Sequence, residues 1–336
     1  MIDFITEAEN KPADKFDDYF ENVIEPLIEE ENRKKTKYHT SFWVRFWSAV
    51  FLVCFNVLIT LFRSVMFKHS FSYTQMLLVI AVALLIVVWP IVRFNHSKKH
   101  DIFSEFLKFF GSWKHIENNQ VMDVNKTRSA KDEVLDNVVK IADGHLPIVP
   151  KHSSLNISHN AVGEYNGIKI QVRDAVYGNS FIKKNLTFNR NVAHGVRINF
   201  KLPFKVQSIT LLFDKSGFYR KNKYEGLEKI STDIPAAGYF NIFSDNKFFT
   251  DNLLRPDFYE TLLDLKDMYQ ARRIYVEIKN DTIKVFLENS VLYFDYIAFW
   301  SRKIDKQKFQ NLYKCFEATF VFADTAKMLA EQALNV

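Results

Sequence analysis

FWVRFWSAVFLVCFNVLITLFRSVMFKHSFSYTQMLLVIAVALLIVVWPIVRF, residues 42–94, is the stretch around which the rest of the chain is arranged. It holds two apolar runs, residues 46–62 and 76–92, joined by a short connection. A helix needs about 20 mostly apolar residues to cross the hydrocarbon core of a bilayer. The second run carries no charge before Arg93 and is apolar all round, unlike an amphipathic surface helix. Trp89 lies near its end, where an indole suits the headgroup level, and Pro90 is expected in the last turn. The first run is bounded by Arg45 and Arg63. Phe42, Trp43, Phe46 and Trp47 read as an interfacial aromatic belt. Asn56 falls mid-span, where its amide can bond across to the second helix. The competing reading is a pair of buried core helices, which rarely run this long without charge. A cleaved leader is disfavoured, because the first run starts near residue 42 and a second run follows it. The expectation is a hairpin within residues 41–95, with spans at about 43–62 and 75–93.

Charge sets the expected orientation. Arg33, Lys34, Lys35, Lys37 and Arg45 precede the first span, and Arg93, Lys98, Lys99 and Lys108 follow the second. The connection, about residues 64–74, and its approach carry only Arg63 and Lys68. Positive flanks stay on the cytoplasmic side, so both termini are expected there. Cys54 lies inside the first span and Cys315 in an expected helix, a spacing that implies neither a disulfide framework nor a metal site.

The chain is 336 residues long with a formal charge of +6, unevenly spread. Residues 1–31 are acidic. Within the expected helical segment 1–40, Phe16, Tyr19, Phe20, Val23, Ile24, Leu27 and Ile28 recur at helical spacing, and Pro26 either kinks the helix or starts a new segment. An acidic amphipathic helix is repelled by an anionic leaflet, so its apolar stripe is expected to meet protein. Residues 96–150 read as juxtamembrane helices: one over 97–118, with Ile102, Phe103, Phe106, Leu107, Phe109, Phe110, Trp113 and Ile116 as its apolar face, and another over 130–141. Residues 151–336 read as a cytosolic α+β domain with a mostly antiparallel sheet. Short strands are expected at 167–172, 185–188, 195–200, 208–213 and 239–243. A helix follows over 248–270, with Asp251, Asn252 or Asp257 as candidate caps and Pro256 opening its stronger part. Asn280-Asp281 between RIYVEI and TIKVFL reads as a hairpin turn. A long helix over about 306–334 closes the chain, with a possible break near Asp324.

Several pieces of the second half carry a likeness. HGVRINFKLPFKVQSITLLFDK spans residues 194–215, and LEKISTDIPAAGYFNIFSDNKFFTDNLLRPDFYETLLDL spans 227–265. The strand–strand stretch RRIYVEIKNDTIKVFLEN leads on to Phe294 and the last helix. In this order of features the chain resembles the bacterial membrane proteins of domain-of-unknown-function family 3137, over most of residues 90–330. The resemblance implies an amino-terminal helical region, a two-span hairpin and a cytoplasmic α+β domain in the bacterial inner membrane. It implies no activity. The segment between Ser153 and Gly167 is shorter than the resemblance leads one to expect.

No catalytic, cofactor-binding or metal residues are assigned from the sequence. His96 and His100 sit at i,i+4, but no third ligand completes a metal site, and a basic membrane flank accounts for them. His145, His152 and His159 recur in a loop-like stretch without regular backbone. There is no G-x-S-x-G, Walker loop or dinucleotide fingerprint. Residues 163–167 and Gly178 read as turns, and Asp245 and Asp251 as helix caps in preference to Mg²⁺ ligands. His194 with Asp214 or Asp245 can be drawn as a base and its orienter, but this needs a nucleophile and a pocket. The basic stretch 183–229 contains Lys183, Lys184, Arg190, Arg197, Lys201, Lys205, Lys215, Arg220, Lys221, Lys223 and Lys229. Three readings stand for it: a solvated sheet face, a surface for anionic lipid, or a site for an acidic protein segment such as residues 1–31. Nucleic acid is not expected, because Phe181, Phe188, Phe200 and Phe204 alternate like core residues and form no stacking platform.

The expected partners are therefore the lipid bilayer and a protein bound through residues 1–31 or 183–229. The expected function is a membrane-tethered binding or scaffolding module. The alternatives are a membrane-proximal enzyme using polar groups from 231–251 and His194, and a transport component, which one hairpin can form only by oligomerising.

Overall fold

The computed structural model describes residues 13–67, 73–96, 102–116, 121–123, 154–183, 186–216, 226–288, 304 and 306–335. The expected helix at 130–141, His100, His145, His152, Lys184, Arg220, Lys221 and Lys223 lie outside them. Two compact units form: residues 13–105 with 296–306, and residues 106–295 with 307–336.

The first unit is helical. α1 (Ala13–Tyr19) passes through one π turn (Phe20–Ile24) into α2 (Glu25–Phe67), and α3 (Tyr73–His96) runs beside it. The α-helix α2 begins at Glu25, so a new α-helical segment starts at Pro26, one of the two outcomes expected of it. Pro26 lacks the N–H that an α-helical carbonyl four residues back needs, and the π turn just before it shifts the hydrogen-bond pattern by one residue. Phe16, Phe20, Ile24 and Ile28 are all buried, as their helical spacing predicts. Asn32 clamps residue 304 with a pair of bonds: its Nδ2 donates to the Ile304 carbonyl and its Oδ1 accepts from the Ile304 N–H, each at 2.9 Å.

α2 and α3 touch through Phe42 and Phe94, with Tyr38, Phe46, Val87 and Ile91 around them. Beyond that contact many of their large apolar side chains are exposed: Phe51 and Leu85 are each 71% exposed. Both helices are long and apolar enough to cross a membrane. Only 6% and 17% of the two most apolar windows are buried, which is not how the core helix of a soluble protein packs. Asn56 makes no side-chain hydrogen bond among the described residues, so the expected bond to the second helix does not form; its carbonyl accepts from Thr60 Oγ1 within α2. α3 continues past Pro90 to His96, further than the sequence suggests.

The second unit is α+β with a mostly antiparallel eight-stranded sheet. α4 (Ile102–Lys108) ends early. The helix expected to reach residue 118 is stopped by Gly111, at φ 86°, and the chain turns into β1 (Lys114–Ile116) and β2 (Val121–Asp123). β1 and β2 both pair with β3 (Ser154–Tyr165), which the sequence reading missed. β3 turns at Asn166-Gly167 into β4 (Ile168–Lys183), far longer than the strand expected at 167–172. The turn residues have φ 48° and 74°, both positive, as a type I′ hairpin turn requires.

The three short strands expected at 185–188, 195–200 and 208–213 are one strand, β5 (Leu186–Asp214). It is the spine of the sheet. β4 pairs with its first half, β7 (Phe240–Ser244) pairs with its last residues on that same side, and β6 (Glu228–Ile230) extends the edge beyond β7. β8 (Arg273–Glu288) runs along its other side. The hairpin expected at Asn280-Asp281 is absent. Residues 273–278 and 282–287 both pair with β5, so they form one bent strand. The type I′ turn that an Asn-led pair favours needs positive φ at both positions, and only Asn280 has it, at 55°.

The helices α5 (Lys247–Leu253), α6 (Pro256–Met268) and α7 (Lys306–Leu334) complete the unit. α5 is capped by Asn246, whose Oδ1 accepts from the Phe249 N–H at 3.0 Å, and not by Asp251, Asn252 or Asp257. α6 starts with Pro256 in its first turn, as expected. α7 packs Phe316 and Phe320 on Trp113 and Phe322 on Phe200 and Phe258. The indole of Trp113 occupies the space that a Cβ on Gly163 would need, so that glycine is a packing floor within β3 and not a turn. α7 is unbroken at Asp324. That carboxylate accepts from Tyr165 Oη and Asn166 Nδ2, both at 3.0 Å, while Lys327 donates to the Asn166 carbonyl at 2.9 Å. The helix thus holds the β3–β4 turn.

Candidate functional site

Three polar constellations stand out in the second unit, and their chemistry differs. The first is a buried hydroxyl cluster where β5, β7 and α5 meet. Thr210 Oγ1 lies 3.1 Å from Ser244 Oγ and 3.0 Å from Thr250 Oγ1, and Ser208 Oγ lies 3.2 Å from Ser244 Oγ. Thr250 also donates to the Asn246 carbonyl at 2.8 Å, and Ser244 Oγ accepts from the Asn246 N–H at 3.1 Å. Asp245 is spent on Ser208 Oγ at 3.0 Å and the Ile209 N–H at 2.8 Å. Ser208, Thr210, Ser244 and Thr250 are buried. Each hydroxyl has a partner inside the cluster, as buried polar groups require, so the cluster ties strand to helix.

The second constellation is the base and orienter drawn from His194 with Asp214 or Asp245. The structure does not bring them together. His194 lies opposite Val176 on β5. Along the facing β8, Gly195 lies opposite Glu288 and Ile209 opposite Lys279, so Ser208 and its partner Asp245 lie on the order of 30 Å further along β5. Asp214 binds Lys266 Nζ at 3.0 Å and accepts from Ser216 Oγ and Ser216 N–H. Burial pushes the Asp214 carboxyl up, but the Ser216 and Lys266 contacts together outweigh it and hold the group below its ordinary value. Desolvation raises Tyr259 and Tyr275 well above an ordinary phenol, and carboxylates of Asp251 and Glu288 add to it, so both stay neutral hydroxyls.

The third is a basic recess at the bend shared by β5 and β8. Lys201 pairs with Thr282 and Val206 with Asn280, so residues 202–205 of β5 bulge opposite one residue, Asp281. The bulge and the β3–β4 turn border an open recess of about 280 Å³ lined by Gly167, Lys169, Lys201, Leu202, Pro203, Phe204, Lys205 and Asp281. Lys169 and Lys201 are direct cross-strand partners of β4 and β5, an arrangement that like charges destabilise. Lys201 Nζ is 3.6 Å from Asp281 Oδ2, longer than a charge-assisted hydrogen bond. Lys169 and Lys205 form no ion pair with the described residues; Glu164, opposite Lys169 on β3, does not reach it. Leu202 and Val206 are buried and anchor the two ends of the bulge.

Lys201 and Lys205 fall within the basic stretch read from the sequence, whereas Lys169 does not. The register of β4 brings it there. One signal was available: Pro203 inside a strand-like run marks an edge or a bulge, because proline cannot donate to the ladder. Elsewhere in the basic stretch, Arg197 is buried with its Nε donating to Asn199 Oδ1 at 3.1 Å, while Lys215 and Lys229 are exposed. Cys315 is buried on α7, with its Sγ donating to the Met268 carbonyl at 3.2 Å. Among the described residues no three His, Cys, Asp or Glu side chains lie close enough to hold a metal ion. His96 closes α3 and His159 lies on β3.

No family model matches the chain. No curated protein matches it. Among solved structures, the crystal structure of the mycobacterial trehalose monomycolate transport factor A, TtfA, aligns with 56% of this chain and 82% of its own, at 10% identity and a TM-score of 0.33, a likeness too low to carry any argument.

Proposed function

We propose that the chain is a membrane-tethered binding or scaffolding module of the bacterial inner membrane. α2 and α3 form the tether, and both termini and the α+β unit lie on the cytoplasmic side. The observation that carries this reading is the bare apolar surface of two long adjacent helices. Leaving that surface in water is unfavourable at roughly 25 cal/mol per Å². The basic flanks support the orientation. The resemblance to domain-of-unknown-function family 3137 supports the same plan. The folded unit offers a recess and a basic surface, and the hydroxyls of Ser208, Thr210, Ser244 and Thr250 are engaged with one another.

Cysteine labelling tests the arrangement. In a Cys54→Ser background, a Ser70→Cys chain should react in intact cells with a membrane-impermeant maleimide. A Lys247→Cys chain should react only after the cells are opened. Labelling of both in intact cells, or recovery of the chain in the soluble fraction, overturns the reading.

A further inference from the structure

We infer that the recess at the β5–β8 bend is a binding site for a phosphate-type anion, either a free phosphate group or the headgroup of an anionic lipid. Four features of the site support this. Its lining residues include three lysines against one aspartate. Two of those lysines are held directly opposite each other by the β4–β5 register, so the pairing is unfavourable until an anion sits between them. The carboxylate engages Lys201 at 3.6 Å and leaves Lys169 and Lys205 available. The open recess, about 280 Å³, has room for a small polyoxyanion. The concavity is built into the backbone. Four residues of β5 bulge opposite Asp281, and neighbouring Asn280 takes the left-handed conformation that bends β8 around them. Lysine serves here as a point-charge phosphate ligand, which tolerates variation in the group attached to the anion.

The inference deepens the binding reading above and rests on it, but it does not depend on the membrane tether. Lysine footprinting on the full-length chain tests it, with acetylation rates read by mass spectrometry. One arm adds inorganic phosphate to the chain in neutral detergent. The other compares nanodiscs of phosphatidylcholine alone with nanodiscs containing phosphatidic acid. Lys169, Lys201 and Lys205 should react at least threefold more slowly with the ligand, while Lys215 and Lys229 keep their rates. Protection by phosphate in detergent assigns a free anion, and protection only by phosphatidic acid assigns a headgroup. No protection in either arm overturns the site. Equal slowing of Lys215 and Lys229 also overturns it, because that is general attraction to a basic surface. A Lys169→Gln/Lys205→Gln chain should lose the protection of Lys201 while keeping its circular dichroism spectrum. Failure of the chain to reach membranes would sink the tether and leave the phosphate arm readable.

Discussion

Asp214 shows how a single side chain is tuned by its neighbours. It closes β5, accepts from Ser216 at 2.6 and 2.9 Å, and pairs with Lys266 of α6 at 3.0 Å. These contacts favour the carboxylate, and its folded value lies below the ordinary 3.8. A group depressed on folding stabilises the protein above its unfolded value and stops doing so as pH falls through the folded one. The Asp214 contribution should therefore be complete above about pH 5 and fade below 3.8. Urea midpoints of the wild type and Asp214→Asn, followed by tryptophan fluorescence, should differ at pH 6 and converge toward pH 2. A gap that stays constant over that range would assign the effect to shape and not to charge. Nothing in the sequence marks Asp214 as paired, because Lys266 lies 52 positions away and is delivered by the packing of α6.

The bent strand β8 raises the same question at the scale of an element. Asn166-Gly167 and Asn280-Asp281 look alike as turn signals, yet the first makes a hairpin and the second a bend. Glycine accepts positive φ without steric cost and aspartate does so reluctantly, so only the first pair supplies two left-handed residues in succession. Asn280 alone is left-handed, at φ 55°. Asn280→Val should cost about 1–2 kcal/mol, while Asn280→Gly should stay within roughly 1 kcal/mol of the wild type. Equal midpoints for the two variants in chemical denaturation would show that the bend needs no left-handed residue. This element marks where the sequence stops being legible. Apolar periodicity located α2, α3, α7 and parts of β4, β5, β7 and β8, because those patterns follow from local burial. It did not reveal that three short runs join as β5, or that two join as β8, because strand continuity is set by the partner's register. The recess was hidden for that reason: Lys169 and Lys201 are neighbours only once β4 and β5 are paired. The short strands β1 and β2 were missed as well, since each is three residues long and β1 follows a helix-like aromatic run that Gly111 cuts short; β3, which they flank, was missed too.

At the scale of the whole molecule, the tether and the folded unit make opposite demands on solvent. The second unit buries its apolar residues on the sheet and under α7, as a protein in water does. α2 and α3 turn Trp47, Phe51, Leu58, Leu77, Leu84 and Leu85 outward. A charge placed on that outward surface distinguishes the two solvents by sign. Leu84 and Leu85 are 59% and 71% exposed, so arginine at either position meets no packed neighbour. In water, Leu84→Arg/Leu85→Arg should be neutral or improve solubility. In a bilayer, each arginine near the middle of a helix costs about 2.5–3.5 kcal/mol of insertion free energy. Two such penalties, about 5–7 kcal/mol together, are comparable to the whole stability of many domains. The doubly substituted chain should therefore be extracted from membranes by alkaline carbonate or degraded, while the wild type stays in the pellet. A variant that accumulates in the soluble fraction alongside an equally soluble wild type would place these helices in water, and the apolar surface would then need a protein to cover it.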